Sequence, residues 1–324
     1  MSARQITSLL RSHVDGDMQQ FYSTALQAAA DEARLGHVRV AKELRDLIDK
    51  GRSKASAAPL FAGTSALAQP RGDLASLLTA SYPTVRLANM VLDDAFRSRL
   101  ERVLHEQSQS ERLQAHNLQP RRKLLLMGPP GSGKTMTASV IAAELRLPLF
   151  AIRLEGVITK YLGETAQKLL QLFEAMLTTK GVYLFDEFDA LGAKRNSGND
   201  IGEIRRVLNS FLQLLESDRS QSVIVCATNH PELLDRALFR RFDDTIEYQL
   251  PDGPQVERLM HERLAAFDVG QIDWPAVVSA AQGLSQADIV RASDDAAKTA
   301  VLGGHAAIRT AMVLDALQER SAAP

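Results

Sequence analysis

The sequence predicts an α/β fold in which a parallel β-sheet of five strands is packed between helices as an αβα sandwich, with a small N-terminal helical bundle and a C-terminal helical lid. Three observations predict it. A glycine-rich loop joins an apolar run to a helical segment, apolar runs then alternate with helical patterns, and the chain after Pro251 is wholly helical. Such alternation is typical of parallel sheets that are covered on both faces.

Length and composition leave room for about two domains, since the chain has 324 residues and 45% of them are hydrophobic. The single cysteine, Cys226, excludes an internal disulfide framework and lies in an apolar run that predicts a packed thiol. A net charge of −1 gives no overall attraction to nucleic acid, although a local basic surface such as a ring pore escapes this argument. No run approaches the roughly 20 apolar residues of a membrane span, so the predicted localisation is cytoplasmic.

Residues 1–50 predict a three-helix bundle, because apolar stripes with helical spacing begin at Ile6, Met18 and Val40. In size and arrangement this segment is similar to the microtubule-interacting-and-trafficking type of adaptor module, which implies partner peptides held in grooves between helices. A helical hairpin that aids oligomerisation is an equally good interpretation. Residues 51–73, rich in Ala, Ser, Gly and Pro, predict a flexible linker.

The predicted α/β domain covers residues 74–250, and the helical lid covers residues 251–324. Asp93 and Asp94 precede an apolar helical pattern and predict a capped helix beside the first strand. Four helical stretches are predicted in the lid, near 254–267, 274–281, 285–302 and 306–320. Ser285 is the predicted cap of the third stretch.

The phosphate-binding loop fits the G-x-x-x-x-G-K-[ST] pattern at every required position. It consists of Gly128, Pro129, Pro130, Gly131, Ser132, Gly133, Lys134 and Thr135, and Met136 continues the binding segment into a helix. Glycines let backbone N–H groups turn toward phosphate oxygens, with the helix N-terminus behind them. We therefore expect ATP to bind here, with Lys134 on its β- and γ-phosphates and the Thr135 hydroxyl on Mg²⁺. A chance glycine turn is the alternative.

An acidic pair, Asp186 and Glu187, ends the apolar run that begins at Val182. Ligands of open α/β sheets gather at the carboxyl ends of the strands, where this pair would lie. Asp186 is the candidate ligand of Mg²⁺ through its water shell, and Glu187 is the candidate base that orients and deprotonates the attacking water. A helix cap is the alternative for an isolated acidic pair.

The stretch Ala227–Asp243 resembles the second region of homology of the AAA ATPases, the group that contains katanin, spastin and the membrane-bound bacterial FtsH protease. The resemblance extends from about residue 85 to residue 302 and includes Leu184–Arg195 and Gly283–Asp288. It implies that Asn229 is a polar sensor at the tip of a strand lying between the strands of the phosphate loop and of the acidic pair. There its side chain would contact the attacking water or the γ-phosphate.

The same resemblance implies that Arg240 and Arg241 are arginine fingers, which in this family act on the nucleotide of the neighbouring subunit. The family commonly places a glycine turn between its two arginines, whereas here they are adjacent. Which of them reaches the phosphate is therefore open. The alternative interpretation is a pair of surface arginines that pair with Asp243 and Asp244.

Two further segments are interpreted from the resemblance. Tyr161, Leu162 and Gly163 stand where the family carries a pore loop that grips an extended polypeptide, and Asn196–Asp200 is the candidate for a lower part of the same channel. A hydrophobic staple at the start of the following helix is the alternative for Tyr161 and Leu162.

In the lid, Gln286 and Ala287 are expected to border the adenine base. Gln286 stands where the family usually has a small residue.

The leading functional hypothesis is ATP hydrolysis, with Mg²⁺, that drives remodelling, unfolding or translocation of a protein substrate through a ring of copies of this chain, expected to be a homo-hexamer. The alternative is the motor subunit of a two-component system with a separately encoded protease, since no protease motif is recognisable in the chain. Short AAA proteins of this form occur in bacteria beside peptidases, some in antiphage loci. A nucleic-acid motor or loader is disfavoured by the charge balance.

Overall fold

The computed structural model describes residue 37 and residues 77–157, 162–191, 200–234 and 236–322. The chain divides into two compact units, residues 1–65 and residues 66–324, and all elements named below belong to the second. Apart from residue 37, the predicted bundle at residues 1–50 and the predicted linker at residues 51–73 lie outside the described residues. Their structures, and the domain limits, remain predictions.

The centre of the second unit is a six-stranded sheet with the order β1-β3-β4-β5-β2-β6. Its strands are β1 Leu78–Ser81, β2 Lys123–Met127, β3 Leu149–Ile152, β4 Val182–Phe185, β5 Val223–Thr228 and β6 Asp244–Glu247. Strands β2 to β6 are mutually parallel, as the sequence predicted. Strand β1 was not predicted; it adds an antiparallel edge, with Leu78 opposite Ile152.

Helices cover both faces of the sheet. They are α1 Asp94–Ser108, α2 Ser110–Gln114, α3 Lys134–Leu145, α4 Leu154–Val157, α5 Leu162–Thr178, α6 Asp200–Ser217 and α7 Arg236–Phe239. Side chains alternate across β2, so Leu125 packs with α5 and α6, whereas Leu124 and Leu126 pack with α1 and α3. Asp93 caps α1 as predicted, by accepting a 2.7 Å hydrogen bond from the Phe96 backbone N–H.

After the sheet the chain forms a helical layer with its own core. Its helices are α8 Gly253–Arg263, α9 Trp274–Ala280, α10 Gln286–Leu302 and α11 Thr310–Ser321. The four predicted helical stretches are therefore confirmed, and Ser285 caps α10 by accepting a hydrogen bond from the Asp288 backbone N–H at 3.2 Å. Among the residues that the structure describes, no helix combines the length and apolar character that crossing a membrane requires.

Candidate nucleotide site

A cavity of about 730 Å³ lies at the carboxyl ends of β2, β4 and β5. It brings together most of the residues that the sequence singled out for nucleotide and metal: Pro130, Gly131, Gly133, Lys134, Thr135, Met136, Asp186, Glu187, Asn229, Gln286 and Ala287. These residues come from four segments that are distant in the sequence. The strand order explains why these segments lie close together, because β5 lies between β4 and β2 and all three strands end at one edge of the sheet.

The phosphate loop has backbone conformations that only glycine adopts readily. Gly128, Gly131 and Gly133 have φ values of 145°, 74° and 98°. A Cβ atom at Gly128 would lie 2.7 Å from the Tyr248 Cβ, and one at Gly131 would lie 2.5 Å from the Ser285 Oγ. The glycines therefore let this turn pass closely between Tyr248 and the lid. Helix α3 begins directly behind the loop at Lys134, so its N-terminus points at the cavity.

The Lys134 ammonium group is held over the phosphate loop by its own backbone. Its Nζ donates hydrogen bonds to the carbonyl oxygens of Gly128 and Pro129, both at 2.8 Å, and to the Ser132 hydroxyl at 3.3 Å. Burial lowers the pKa of Lys134, and the negative charges of Asp186 and Asp189 partly oppose that shift. The amine is thus positioned in the cavity where phosphate oxygens could replace its carbonyl partners.

The two candidate Mg²⁺ residues are in direct contact. The Thr135 hydroxyl donates a 2.7 Å hydrogen bond to Asp186 Oδ2. A hydroxyl and a carboxylate beside a phosphate loop are the oxygen donors that Mg²⁺ takes when it keeps most of its waters. The donor set therefore fits the metal, and Thr135 and Asp186 are the residues that would hold it.

Glu187 is exposed to the cavity and has an uncommon backbone conformation. Its φ of 51° lies in the left-handed region, and its N–H donates to Asp186 Oδ1 at 3.0 Å. Such a conformation costs on the order of 1–3 kcal/mol for a residue other than glycine and is found mainly at functional sites. The next residue, Phe188, is fully buried against Phe211, so the chain is anchored immediately after the strained position.

The opposite wall of the cavity belongs to the lid and to the segment before α1. The Ala287 backbone N–H, at the start of α10, donates a 3.0 Å hydrogen bond to the Gly131 carbonyl oxygen. The Gln286 side-chain amide lies 3.5 Å from the Val91 carbonyl oxygen. Sequence reasoning did not identify Val91 as a lining residue, nor Arg263 of α8. The apolar run around Val91 has the pattern of an ordinary core segment, so it does not indicate a binding site.

The two candidate arginine fingers are not in the cavity. Arg241 forms an ion pair with Glu216 near the end of α6, whereas the exposed side chain of Arg240 makes no ion pair or hydrogen bond with the other described residues. The alternative in which both arginines pair with Asp243 and Asp244 is wrong. Asp243 accepts hydrogen bonds from the backbone N–H groups of Arg122 and Lys123, and Asp244 pairs with Arg99.

The proposed pore loop lies partly outside the described residues. This holds for Tyr161, while Leu162 and Gly163 form the first turn of α5. Of the second channel segment, residues 196–199 are not described, and Asp200 begins α6. The roles of both segments remain predictions.

Comparison with known proteins agrees with this geometry. The model of the "ATPase family associated with various cellular activities (AAA)" matches residues 124–250, which include the loop, the acidic pair, Asn229 and both arginines. An "Uncharacterized AAA family ATPase y4kL" of Sinorhizobium fredii is 32% identical over 293 residues, which are 89% of this chain and 86% of the relative. The chain belongs to the AAA ATPase family. As a member, it is an ATPase with a nucleotide-binding site.

Two other relatives of this AAA ATPase are much longer. "ATP-dependent zinc metalloprotease FtsH 1" of Methylacidiphilum infernorum is 30% identical over 77% of this chain and 41% of the relative. The "Proteasome-activating nucleotidase" of Pyrococcus horikoshii is 34% identical over 58% of this chain and 48% of the relative. The matches therefore span less than half of each relative's length.

A solved structure supports the fold alone. The "Crystal structure of FIGL-1 AAA domain" aligns with a TM-score of 0.62 at 19% identity and covers 80% of this chain and 92% of that domain.

Proposed function

We propose that this AAA ATPase works as a ring of identical subunits, most simply a hexamer, in which ATP hydrolysis unfolds, remodels or translocates a protein substrate. One observation carries the proposal. Lys134 and Arg263 are the cationic side chains among the described lining residues, and Arg263 binds Asp294 with an Nη2–Oδ2 distance of 2.8 Å. Arg240 is exposed outside the cavity, so it is the candidate to supply an arginine to the transition state in the site of another copy.

Within one subunit the chain's residues divide the work of hydrolysis. Lys134 moves from the loop carbonyls to the β- and γ-phosphates, while Thr135 and Asp186 hold Mg²⁺. Mg²⁺ held by these two residues would supply positive charge that neutralises the phosphates. Glu187 takes a proton from the attacking water, and Asn229 orients that water against the γ-phosphate. Water adds to phosphorus as the bond to the ADP oxygen breaks, which yields ADP and phosphate.

In the proposed ring, the neighbouring subunit supplies an arginine to this site. Trans-acting arginines raise phosphoryl-transfer rates by factors of about 10³–10⁵. Arg240 is the better candidate for the principal finger, because it has no described partner to leave, whereas Arg241 would first have to leave Glu216. The pair with Glu216 is exposed, so its loss costs little. The ion pair with Glu216 therefore favours Arg240 as the principal finger without excluding Arg241.

A protein substrate is supported by the names of the relatives and by Tyr161. FtsH is named as an ATP-dependent protease, and the nucleotidase is named for activating the proteasome. An aromatic side chain in a pore loop packs on any extended backbone without reading its sequence. The nucleotidase's name also favours the second candidate, in which this chain is the motor for a separately encoded protease. Co-purification of a peptidase with the tagged chain would support that candidate.

ATPase rate against protein concentration tests the proposal. We expect a cooperative rise for the wild type, a loss of about 10³-fold in Arg240→Ala, and a smaller loss in Arg241→Ala. Glu187→Gln should bind ATP without hydrolysing it. Mixing Arg240→Ala with Glu187→Gln should restore activity, because the second variant donates the missing finger to an intact site. A rate independent of concentration and of both arginines would show that each chain hydrolyses alone.

A further inference from the structure

Asp189 lies close to the candidate catalytic residues but does not line the nucleotide cavity. It belongs to the 3₁₀ turn Phe188–Leu191, which follows directly after the acidic pair. Its Oδ1 accepts a 2.8 Å hydrogen bond from the Thr228 hydroxyl and a 3.3 Å hydrogen bond from the Asn229 backbone N–H. One carboxylate oxygen therefore links the end of β4 to the tip of β5.

Both sides of this link are anchored in the core. On the Asp189 side, the ring of fully buried Phe188 packs against Phe211 with the centroids 4.9 Å apart. On the other side, Thr228 is fully buried, and its hydroxyl also accepts a 3.0 Å hydrogen bond from the His230 backbone N–H. The backbone is thus held at Asn229 and at the residue after it. The hydrogen bonds of Asp189 leave the Asn229 side chain available to the cavity.

The geometry matters because Glu187 and Asn229 act on the same water in the proposed reaction. Glu187 stands two residues before Asp189, and the Asn229 N–H is one of the two donors to Asp189. Backbone N–H groups and hydroxyls bind a carboxylate more strongly than a neutral acceptor. The charge of Asp189 also reaches Lys134, whose pKa it raises against the effect of burial.

We propose that Asp189 is a positioning residue for ATP hydrolysis, which sets the distance between Asn229 and Glu187 through its hydrogen bonds to Thr228 and to the Asn229 N–H. The inference rests on the proposed function, because it presupposes that Glu187 is the base and Asn229 the sensor. It assigns Asp189 no contact with ATP. Removal of its carboxylate should therefore affect kcat much more than nucleotide affinity.

The test compares Asp189→Ala, Asp189→Asn and Thr228→Val with the wild-type full-length chain. Misplacing a reacting group by about 1 Å can cost about 10²-fold in rate. We expect Asp189→Ala to lower kcat by about that factor, with the affinity for a fluorescent ADP analogue and the KM for ATP changed less than about threefold. Asp189→Asn should recover much of kcat, because its amide oxygen accepts the same hydrogen bonds. Thr228→Val should lower kcat, and combining it with Asp189→Ala should cost less than the sum of the two effects.

Asp273→Ala is the matched control. Asp273 also accepts a hydrogen bond from a backbone N–H, that of Ala276 at 3.3 Å, but it lies at the start of α9 and not at the nucleotide cavity. Its loss should lower the melting temperature without changing kcat. If Asp189→Ala does not fold, Thr228→Val still tests the inference, because it removes the hydroxyl that donates to Asp189, and an unchanged kcat in Thr228→Val would overturn the inference.

Two failures are distinguishable. An active wild type with full kcat in Asp189→Ala, or an equal loss of kcat and of nucleotide affinity in that variant, would overturn the positioning role alone. Continued hydrolysis by Glu187→Gln would overturn the proposed base and, with it, the premise of the inference.

Discussion

At the scale of single residues, Glu187 combines a candidate catalytic carboxylate with a left-handed backbone at φ 51°. This conformation gives a prediction about stability that is separate from activity. Glu187→Gly should be more stable than Glu187→Ala by about 1 kcal/mol, because glycine adopts the left-handed region without a Cβ clash. In a domain of this size that difference raises the melting temperature by about 2–4 °C.

Thermal unfolding of the two variants, each without nucleotide, measures the difference. Both variants lack the carboxylate and should be inactive. A difference in their stability therefore reports the backbone conformation at residue 187 and not the loss of the carboxylate. Equal melting temperatures would mean that the backbone at Glu187 relaxes out of the left-handed region. The left-handed backbone would then not lower the stability of the folded chain.

Single residues also show what the sequence could and could not predict. The phosphate loop and the acidic pair were recognisable because their chemistry requires residue types at a set spacing, and the cavity brings them together. The φ of Glu187 and the hydrogen bonds of Asp189 were not predictable, because they depend on strands that pair only in the folded sheet. The packed Cys226 was predictable from its apolar neighbours. It is fully buried, and burial raises the pKa of its thiol.

At the scale of elements, α10 is docked on the phosphate loop by a backbone hydrogen bond from Ala287 to Gly131. This contact predicts that Gly131→Ala displaces the lid as well as straining the loop. Its Cβ would lie 2.5 Å from the Ser285 Oγ, and its φ of 74° disfavours any residue with a side chain. We expect nucleotide affinity to fall by more than about tenfold, since backbone strain and clash together cost over 1.4 kcal/mol.

A second substitution separates the two causes. Gly131→Ala combined with Ser285→Gly removes the nearest clash but keeps the strained φ, so it should recover affinity only partly. Titration with a fluorescent ADP analogue measures both variants, and Ser285→Gly alone is the control for the loss of the α10 cap. Full recovery in the double variant would assign the whole effect to the clash, and wild-type affinity in Gly131→Ala would contradict the docked lid.

Helices and strands were predictable where an apolar pattern extends over many residues. Prediction failed where the segment is too short to show such a pattern. The helices of the lid follow from apolar stripes over many residues, and their caps follow from residues such as Ser285. Strand β1 has only four residues, Leu78–Ser81, with Leu78 buried and Ser81 exposed. Its place depends on pairing with β3, including a 2.8 Å hydrogen bond from the Arg153 N–H to the Leu77 carbonyl oxygen. No local pattern predicts such a pairing.

At the scale of the whole molecule, residues 66–324 contain two cores on either side of the sheet and a third inside the lid. The order of strands and helices was predictable because a strand followed by a helix and a parallel strand has few ways to fold. Subunit number and substrate were not predictable, because they depend on surfaces between chains. The arginines illustrate this limit, since the site proposed for them belongs to another copy.

The sequence left two interpretations for residues 1–50, which belong to the unit formed by residues 1–65. A chain that begins at residue 66 retains the cavity and all three cores, so it should bind ATP as the full chain does. If the first unit is an adaptor for substrates, the truncated chain should also keep ATPase activity within about twofold and the same cooperative dependence on concentration. If that unit serves oligomerisation, the cooperative rise should shift to much higher concentration, because an interface that stabilises the ring is lost. Light scattering on both chains, with Glu187→Gln and ATP to hold subunits together, would decide between them, and loss of ATP binding by the truncated chain would contradict both.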